Sequence, residues 1–417
     1  MRILFLAHRL PYPPNKGDKI RSFWELRTLA QHHDVDLFCF YDDRQDKRHG
    51  ESVRRYCRSC YVEPISALRS RTRALSALVQ GQSFSPAFFH SGAMARRIAE
   101  AVQSRSYDLI FVFSSSMAHY AEPWPDLPKI LDLVDVDSEK WVQYGSRTRG
   151  PQSWLWNREG RRLAQYESAL VSSFCNTLVC TDAEARLLRS RALRGRISVL
   201  QNSLDTDYYT PEGVPVPEEI RALQPYVVFT GSMDYFPNVD AVRFFCREVL
   251  PGIRAQVPKL RFVIAGRNPS AEVVQLASTP GVVVTGTVPD IRPYLRGSAA
   301  AIAPMRIARG VQNKILEALA MGIPVVASSR AASALPENLA SLLLVENAPG
   351  PFGTRVVGCL QDSSEQRTAR RAVVVQYVEG LDLPSQLECF LRSAIGQAGE
   401  TLVYRGNTDK ELVSGPL

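Results

Sequence analysis

The segment from Arg306 to Val326, RIARGVQNKILEALAMGIPVV, gathers three cations, Arg306, Arg309 and Lys314, around the start of a stretch with helical periodicity. A helix start presents free backbone N–H groups and the positive end of the dipole, so cations placed there make an anion site. Gly310 and Val311 lead into that helix, where backbone N–H groups can approach a phosphate closely. Glu317 follows Lys314 by three residues, so the two side chains share one face. Lys314 suits a phosphate, while the Glu317 carboxylate suits a vicinal diol such as that of ribose. The bland alternative is a surface ion pair.

Other glycines stand where short apolar runs end: Gly231 and Ser232 in Thr230-Gly-Ser-Met233, Gly266 in Ala265-Gly-Arg-Asn268, and Gly286 in Thr285-Gly-Thr287. Each is a weak signal by itself. Together with the three cations they describe a diphosphate cradle. The first half of the chain offers Gly17 in Pro13-Pro-Asn-Lys-Gly-Asp-Lys-Ile-Arg21, after the first apolar run, with Lys16, Lys19 and Arg21 supplying charge. Asp135-Val-Asp137 has the spacing of a metal-chelating pair. Its distance in sequence from the cradle favours a lining or helix-capping role, with Asp135 an acceptor-side base. His8 and His119 read as polar lining, since six histidines without ligand spacing make no metal case. Cys57-Arg-Ser-Cys60 lacks two further zinc ligands, and the scattered cysteines read as thiols in a reducing compartment.

These residues need elements to hold them. Apolar, β-branched runs at Ile3–Ala7, Val35–Tyr41, Asp108–Phe113, Lys129–Val134, Thr177–Cys180 and Ile197–Leu200 alternate with helical patterns, which predicts βα units around a parallel sheet. Three prolines and a glycine in Thr210-Pro-Glu-Gly-Val-Pro-Val-Pro217 interrupt the alternation. It restarts with runs at Tyr226–Thr230, Leu260–Ala265, Val282–Thr285, Ala299–Ala303 and Val325–Ala327. The expected organisation is an α/β chain with two doubly wound Rossmann-like domains, 1–210 and 211–383, facing a central cleft, then a helix at 384–400 and a loose tail at 401–417.

Two domains also suit 417 residues. The net charge of +8 is concentrated in residues 1–210, which hold 30 Lys and Arg against 23 Asp and Glu. Nine basic and three acidic residues lie between Arg44 and Arg73, ahead of the apolar Ala74–Val79. Trp141, Tyr144, Trp154, Trp156 and Tyr166 mingle with five arginines further on. Basic plus aromatic suits an anionic membrane surface, and no recognition module argues for nucleic acid. No run is long enough to span a bilayer and the first residues do not read as a signal peptide, so a cytoplasmic protein is expected, able to rest on the inner membrane face.

The ordered set Asn202-Ser-Leu-Asp205 with Tyr209-Thr-Pro211, Gly231-Ser-Met233 with Phe236-Pro-Asn238, Ala265-Gly266, Gly286 and the run Lys314 to Val326 resembles the retaining GT-B glycosyltransferases of the family 4 group. Pro11 to Lys19, Asp132 to Ser138 and Ala308 to Lys314 further resemble the sugar transferases associated with PEP-CTERM/exosortase exopolysaccharide clusters. The resemblance covers about residues 1–395. It implies a GT-B fold, a nucleoside-diphosphate sugar as donor with no cofactor or metal, transfer with retention, and a glycan acceptor, polyprenyl-linked. In that scheme Arg306, Arg309 and Lys314 stabilise the leaving diphosphate, and the second domain binds the donor through Gly231, Ser232, Gly266, Gly310, Val311 and Glu317. The chain departs from the wider family at Arg309, where a donor-contacting glutamate is usual, and at Ser232, where an arginine is common. The expectation is a phosphate cation relocated to Arg306 or Arg309. A GT-B nucleotide-sugar epimerase and a non-catalytic scaffold of a polysaccharide assembly are the alternatives.

Overall fold

A computed structural model describes residues 1–14, 17–41, 46–202, 204–308 and 310–396, and every structural statement below concerns those residues. The chain divides into two compact units, one of residues 1–202 with the 383–396 helix, the other of residues 204–382.

The first unit is built on a seven-stranded, wholly parallel sheet: β1 (Arg2–Ala7), β2 (Asp34–Tyr41), β3 (Ser59–Pro64), β4 (Leu109–Phe113), β5 (Lys129–Val134), β6 (Asn176–Val179) and β7 (Ile197–Val199). Their order across the sheet is β3-β2-β1-β4-β5-β6-β7. Strands β1 and β4 are buried almost throughout, as expected where helices cover both faces. The second unit repeats the scheme with six parallel strands: β8 (Tyr226–Thr230), β9 (Arg261–Ala265), β10 (Val282–Gly286), β11 (Ala300–Ala303), β12 (Val325–Ala327) and β13 (Leu343–Val345). They lie in the order β10-β9-β8-β11-β12-β13.

In both units the winding reverses beside the first strand, between β1 and β4 and between β8 and β11. Ligands of doubly wound sheets bind at the carboxyl ends of strands at such switch points. Two strands, β3 and β13, were not expected from the sequence, the first because its residues fall in the basic, cysteine-bearing stretch, the second because it has only three residues.

The units part at residue 202, ahead of the proline-rich stretch rather than in it. Arg371 explains why: its guanidinium donates to the carbonyls of Tyr209 (2.8 Å), Ala320 (2.6 Å) and Thr206 (3.2 Å), fastening residues 206–209 to the second unit. The 383–396 helix belongs with the first unit, where His33 bonds Glu388 at 2.8 Å and Leu387 and Leu391 are buried.

Candidate functional site

In the second unit the loops after β8 and β9 touch. Gly231 has φ +148°, open to glycine alone, and a Cβ on Gly266 would lie 1.8 Å from the Gly231 carbonyl oxygen. Glycine is therefore required at 266 by close approach. The 231–235 loop is further tied down by Met233 N–H on the Arg267 carbonyl (2.8 Å) and by Arg267 Nε donating to Ser232 Oγ (3.2 Å).

Helix Asn313–Ala320 follows β11, with its apolar residues Ile315, Leu316 and Leu319 buried and Lys314 directed at the Gly231 loop. Gln312 stands at its N-cap and makes no side-chain capping bond to the helix, and its carbonyl accepts from Ile315 N–H at 2.8 Å. Gly310, at φ +58°, turns the chain into it, and Val311 packs against the core. Lys314 Nζ donates to Asn238 Oδ1 at 2.6 Å and sits 4.1 Å from the centre of the Phe229 ring. Asn238 in turn donates to the Ser232 carbonyl at 2.9 Å. One asparagine thus couples the phosphate-type loop to the helix lysine.

Lys314 and Glu317 keep some accessible surface, yet their head groups lie deep among protein atoms. Burial pushes the Lys314 amine down to about 7, against the pull of Glu317. Burial likewise raises Glu317, opposed by a hydrogen bond from Tyr209 and by Lys314. A cation and an acid whose charges are both disfavoured by burial form a polarised pair that a doubly charged, hydroxyl-bearing ligand would satisfy.

Arg306 is placed differently from the simple expectation of a bare phosphate cation. It chelates Asp240 through Nε (2.9 Å) and a terminal nitrogen, above the Phe244 ring at 5.1 Å. Arg309 lies outside the described residues, as does Lys16.

In the first unit, the ends of β1, β4 and β5 surround the switch point. His8 bonds Asp18 at 3.3 Å, stacks on Phe113 at 5.8 Å and meets Phe89 edge-on. Burial would raise the Asp18 carboxyl, but bonds from His8 and Arg9 hold it well below the usual range. Gly17 opens the helix Gly17–Leu29 beside that cluster and is exposed. Arg21 is not a surface cation: it is buried on Asp132 (2.5 Å), and donates to the Leu200 carbonyl (2.7 Å) and Asn202 Oδ1 (3.0 Å). Glu25 is buried against the same pair, and burial together with Asp132 raises its carboxyl well above the usual range. Two acids thus face one guanidinium, Arg21 lying 2.5 Å from Asp132 and 3.3 Å from Glu25.

Val134, at the end of β5, adopts φ +66°, a strained choice for a β-branched residue, and is followed by Asp135 at the carboxyl end of the sheet. Burial raises Asp135, moderated by a 2.9 Å hydrogen bond from the Cys180 thiol. Neither Asp137 nor Ser138 caps the following helix, Asp137–Arg147, with its side chain. Instead Glu184 accepts from Val136 N–H (2.9 Å) and Glu167 from Ser138 N–H (3.2 Å). Among the described residues no group of three His, Cys, Asp or Glu is arranged to hold a metal. His119 is pushed down to about 4, by burial first and then by His90 stacked at 5.4 Å, so it is neutral at pH 7.

Sequence reading therefore brought together Gly231, Ser232, Gly266, Lys314 and Glu317, which the fold assembles in one place. Asn238 and Tyr209 complete that cluster, and their only signal was their place in the quoted motifs. Asp240, which claims Arg306, had none.

Residues 224–362 match the family model described as Glycosyl transferases group 1. No curated protein matches the sequence. Among solved structures, the apo form of OtsA is similar with a TM-score of 0.63 and 13% identity, over 94% of this chain and 99% of that one. Anabaena HepE, in complex with UDP and glucose, gives 0.61 and 14% over 97% and 100%. The sucrose-phosphate synthase of Thermosynechococcus elongatus gives 0.61 and 15% over 98% and 100%. The chain has the two-domain, Rossmann-like GT-B architecture. The family match spans the whole Gly231, Gly266, Lys314 and Glu317 cluster and supports a GT-B glycosyltransferase.

Proposed function

We propose that this chain is a glycosyltransferase that moves a sugar from a nucleoside-diphosphate donor to a glycan acceptor. The observation that carries the reading is the Gly231–Gly266 contact joined through Asn238 to Lys314, with Glu317 one turn further on. The diphosphate belongs over the two strand-end glycines and the start of helix Asn313–Ala320, where backbone N–H groups and Lys314 meet the charge that develops as the glycosidic bond to phosphate breaks. Glu317, oriented by Tyr209, accepts from the ribose hydroxyls. The UDP in HepE supports a uridine nucleotide as the first donor to try.

Arg306 and Arg309 complete the phosphate side in this reading, with Arg306 held in place by Asp240 and Arg309 standing in for the cation that Ser232 lacks. On the acceptor side, Asp135 is the candidate base for the attacking hydroxyl, because a carboxyl with raised proton affinity takes a proton more readily. Gly17, at the start of helix Gly17–Leu29, is the first-unit candidate for contact with the donor diphosphate or the acceptor. Retention, independence from metal, a polyprenyl-linked acceptor and a role in exopolysaccharide synthesis follow from the motif resemblances and complete the proposal.

Lys314→Ala and Glu317→Ala should each lower kcat/KM by about 100-fold or more, while the melting temperature stays within a few degrees of the parent. Full activity in both variants would overturn the donor-site assignment. Melting-temperature shifts across UDP-, GDP-, ADP- and CMP-sugars identify the donor, since a ligand bound only by the native state stabilises it. Product that requires acceptor separates transfer from epimerisation.

A further inference from the structure

The first unit carries a surface that the donor site does not use. Helix Ala67–Val79, ALRSRTRALSALV, exposes three large apolar side chains: Leu68 at 76%, Leu75 at 61% and Val79 at 83%. Spacings of seven and four place them on one stripe with Thr72. Arg69 and Arg71 are exposed on either side of that stripe, and the helix contains no acidic residue.

The opposite face is committed to the protein. Ser70 and Ala77 are buried, Arg73 folds back onto the His90 carbonyl, and Arg158 donates to the carbonyls of Leu78 (2.7 Å) and Gln82 (3.2 Å). The helix is thus pinned by its inner face while its apolar stripe points to solvent. Trp154, 61% exposed, lies one turn before Arg158 on the same face of the helix Pro151–Ser173.

The remaining aromatics of that region do not share this exposure. Trp141 stacks on Trp156 at 4.9 Å, Phe84 meets both edge-on, and Tyr166 bonds Glu122. The structure thereby separates the two basic stretches: the aromatic one is mostly internal packing, and the aliphatic one presents an open stripe.

We propose that helix Ala67–Val79 docks the protein on an anionic lipid bilayer, with Leu68, Leu75 and Val79 entering the headgroup boundary and Arg69 and Arg71 facing lipid phosphates. Charge complementarity selects this occupant. A stripe bordered by arginines on both sides and by no carboxylate of its own helix is matched by a continuous negative surface. The inference stands on the first unit alone and does not rest on the donor site, all of whose described residues lie in the second.

Flotation of the full chain with vesicles of phosphatidylethanolamine and phosphatidylglycerol, against vesicles of phosphatidylcholine alone, tests it. The parent should float with the anionic vesicles only, and less in about 0.5 M salt, where screening shortens to a few ångströms. The double variant L75E/V79E should bind at least about tenfold more weakly, and R69S/R71S about tenfold or more as well, each arginine contributing roughly fivefold. Both should keep the parent's melting temperature and UDP-induced stabilisation, so a failure here is distinguishable from failure of the donor assignment. A parent that ignores anionic vesicles overturns the proposal. So does an L75E/V79E variant that floats like the parent, or a parent dimer, seen without lipid, that L75E/V79E dissolves.

Discussion

Lys314 is an amine in surroundings that oppose its charge, which ties its protonation to its ligand. With burial pushing it from 10.5 to about 7, the amine is mostly neutral at pH 8. The unfolded chain binds that proton more tightly, so the free protein loses stability as pH falls from about 10.5 to about 7, and the penalty is constant below. A diphosphate beside Nζ restores the charge and removes the penalty. Binding of UDP at pH 8 should therefore take up close to one proton, read as a dependence of calorimetric heat on buffer ionisation enthalpy. Lys314→Met should abolish that uptake. No uptake in the parent, or equal uptake in the variant, would exclude Lys314 as the phosphate cation. Lys314 and Glu317 were legible in the sequence because i, i+3 spacing fixes a shared helix face. Asn238 was not, because its bond to Lys314 joins residues 76 apart.

Among the elements, the strand-end loops depend on each other more than any one glycine suggests. Gly266→Ala places a methyl 1.8 Å from the Gly231 oxygen, so one loop must move. We expect a stability loss of about 1–3 kcal/mol and UDP binding weakened by about 100-fold. Gly252→Ala is the control: nothing lies within 4 Å of its Cβ position and it sits in helix Leu250–Gln256, so it should be neutral or slightly stabilising. Unaltered UDP affinity in Gly266→Ala would show that the contact is packing alone. Most strands were readable as β-branched runs, since alternation of short apolar runs with helical periods is local. Asp135-Val-Asp137 reads in sequence as a cleft lining or a helix cap, whereas Glu184 and Glu167, from later in the chain, supply the acceptors at the start of the helix after β5. Local preference could not reveal partners 48 and 29 residues away.

At the scale of the molecule, the first unit closes with residues from the far end of the chain. Leu387 and Leu391 of the 383–396 helix are buried, and Glu388 and Ser393 bond His33 and Arg196. Leu387→Ala should lower the denaturation free energy by about 2–5 kcal/mol without changing UDP affinity, since the described donor-site residues all belong to the second unit. Chemical denaturation and calorimetry check the two halves of that statement. Unchanged stability would mean the helix is not part of the first unit's core.

The sequence by itself determined eleven of the thirteen strands, the two-unit plan and the shared face of Lys314 and Glu317, because each follows from periodicity over a few residues. The tertiary structure decided that Gly231 and Gly266 touch, that Arg306 is held by Asp240, that Arg21 is buried on Asp132, and which apolar side chains face outward. Those outcomes depend on strand order and on packing between segments tens of residues apart. Charge and spacing along one chain do not carry that information.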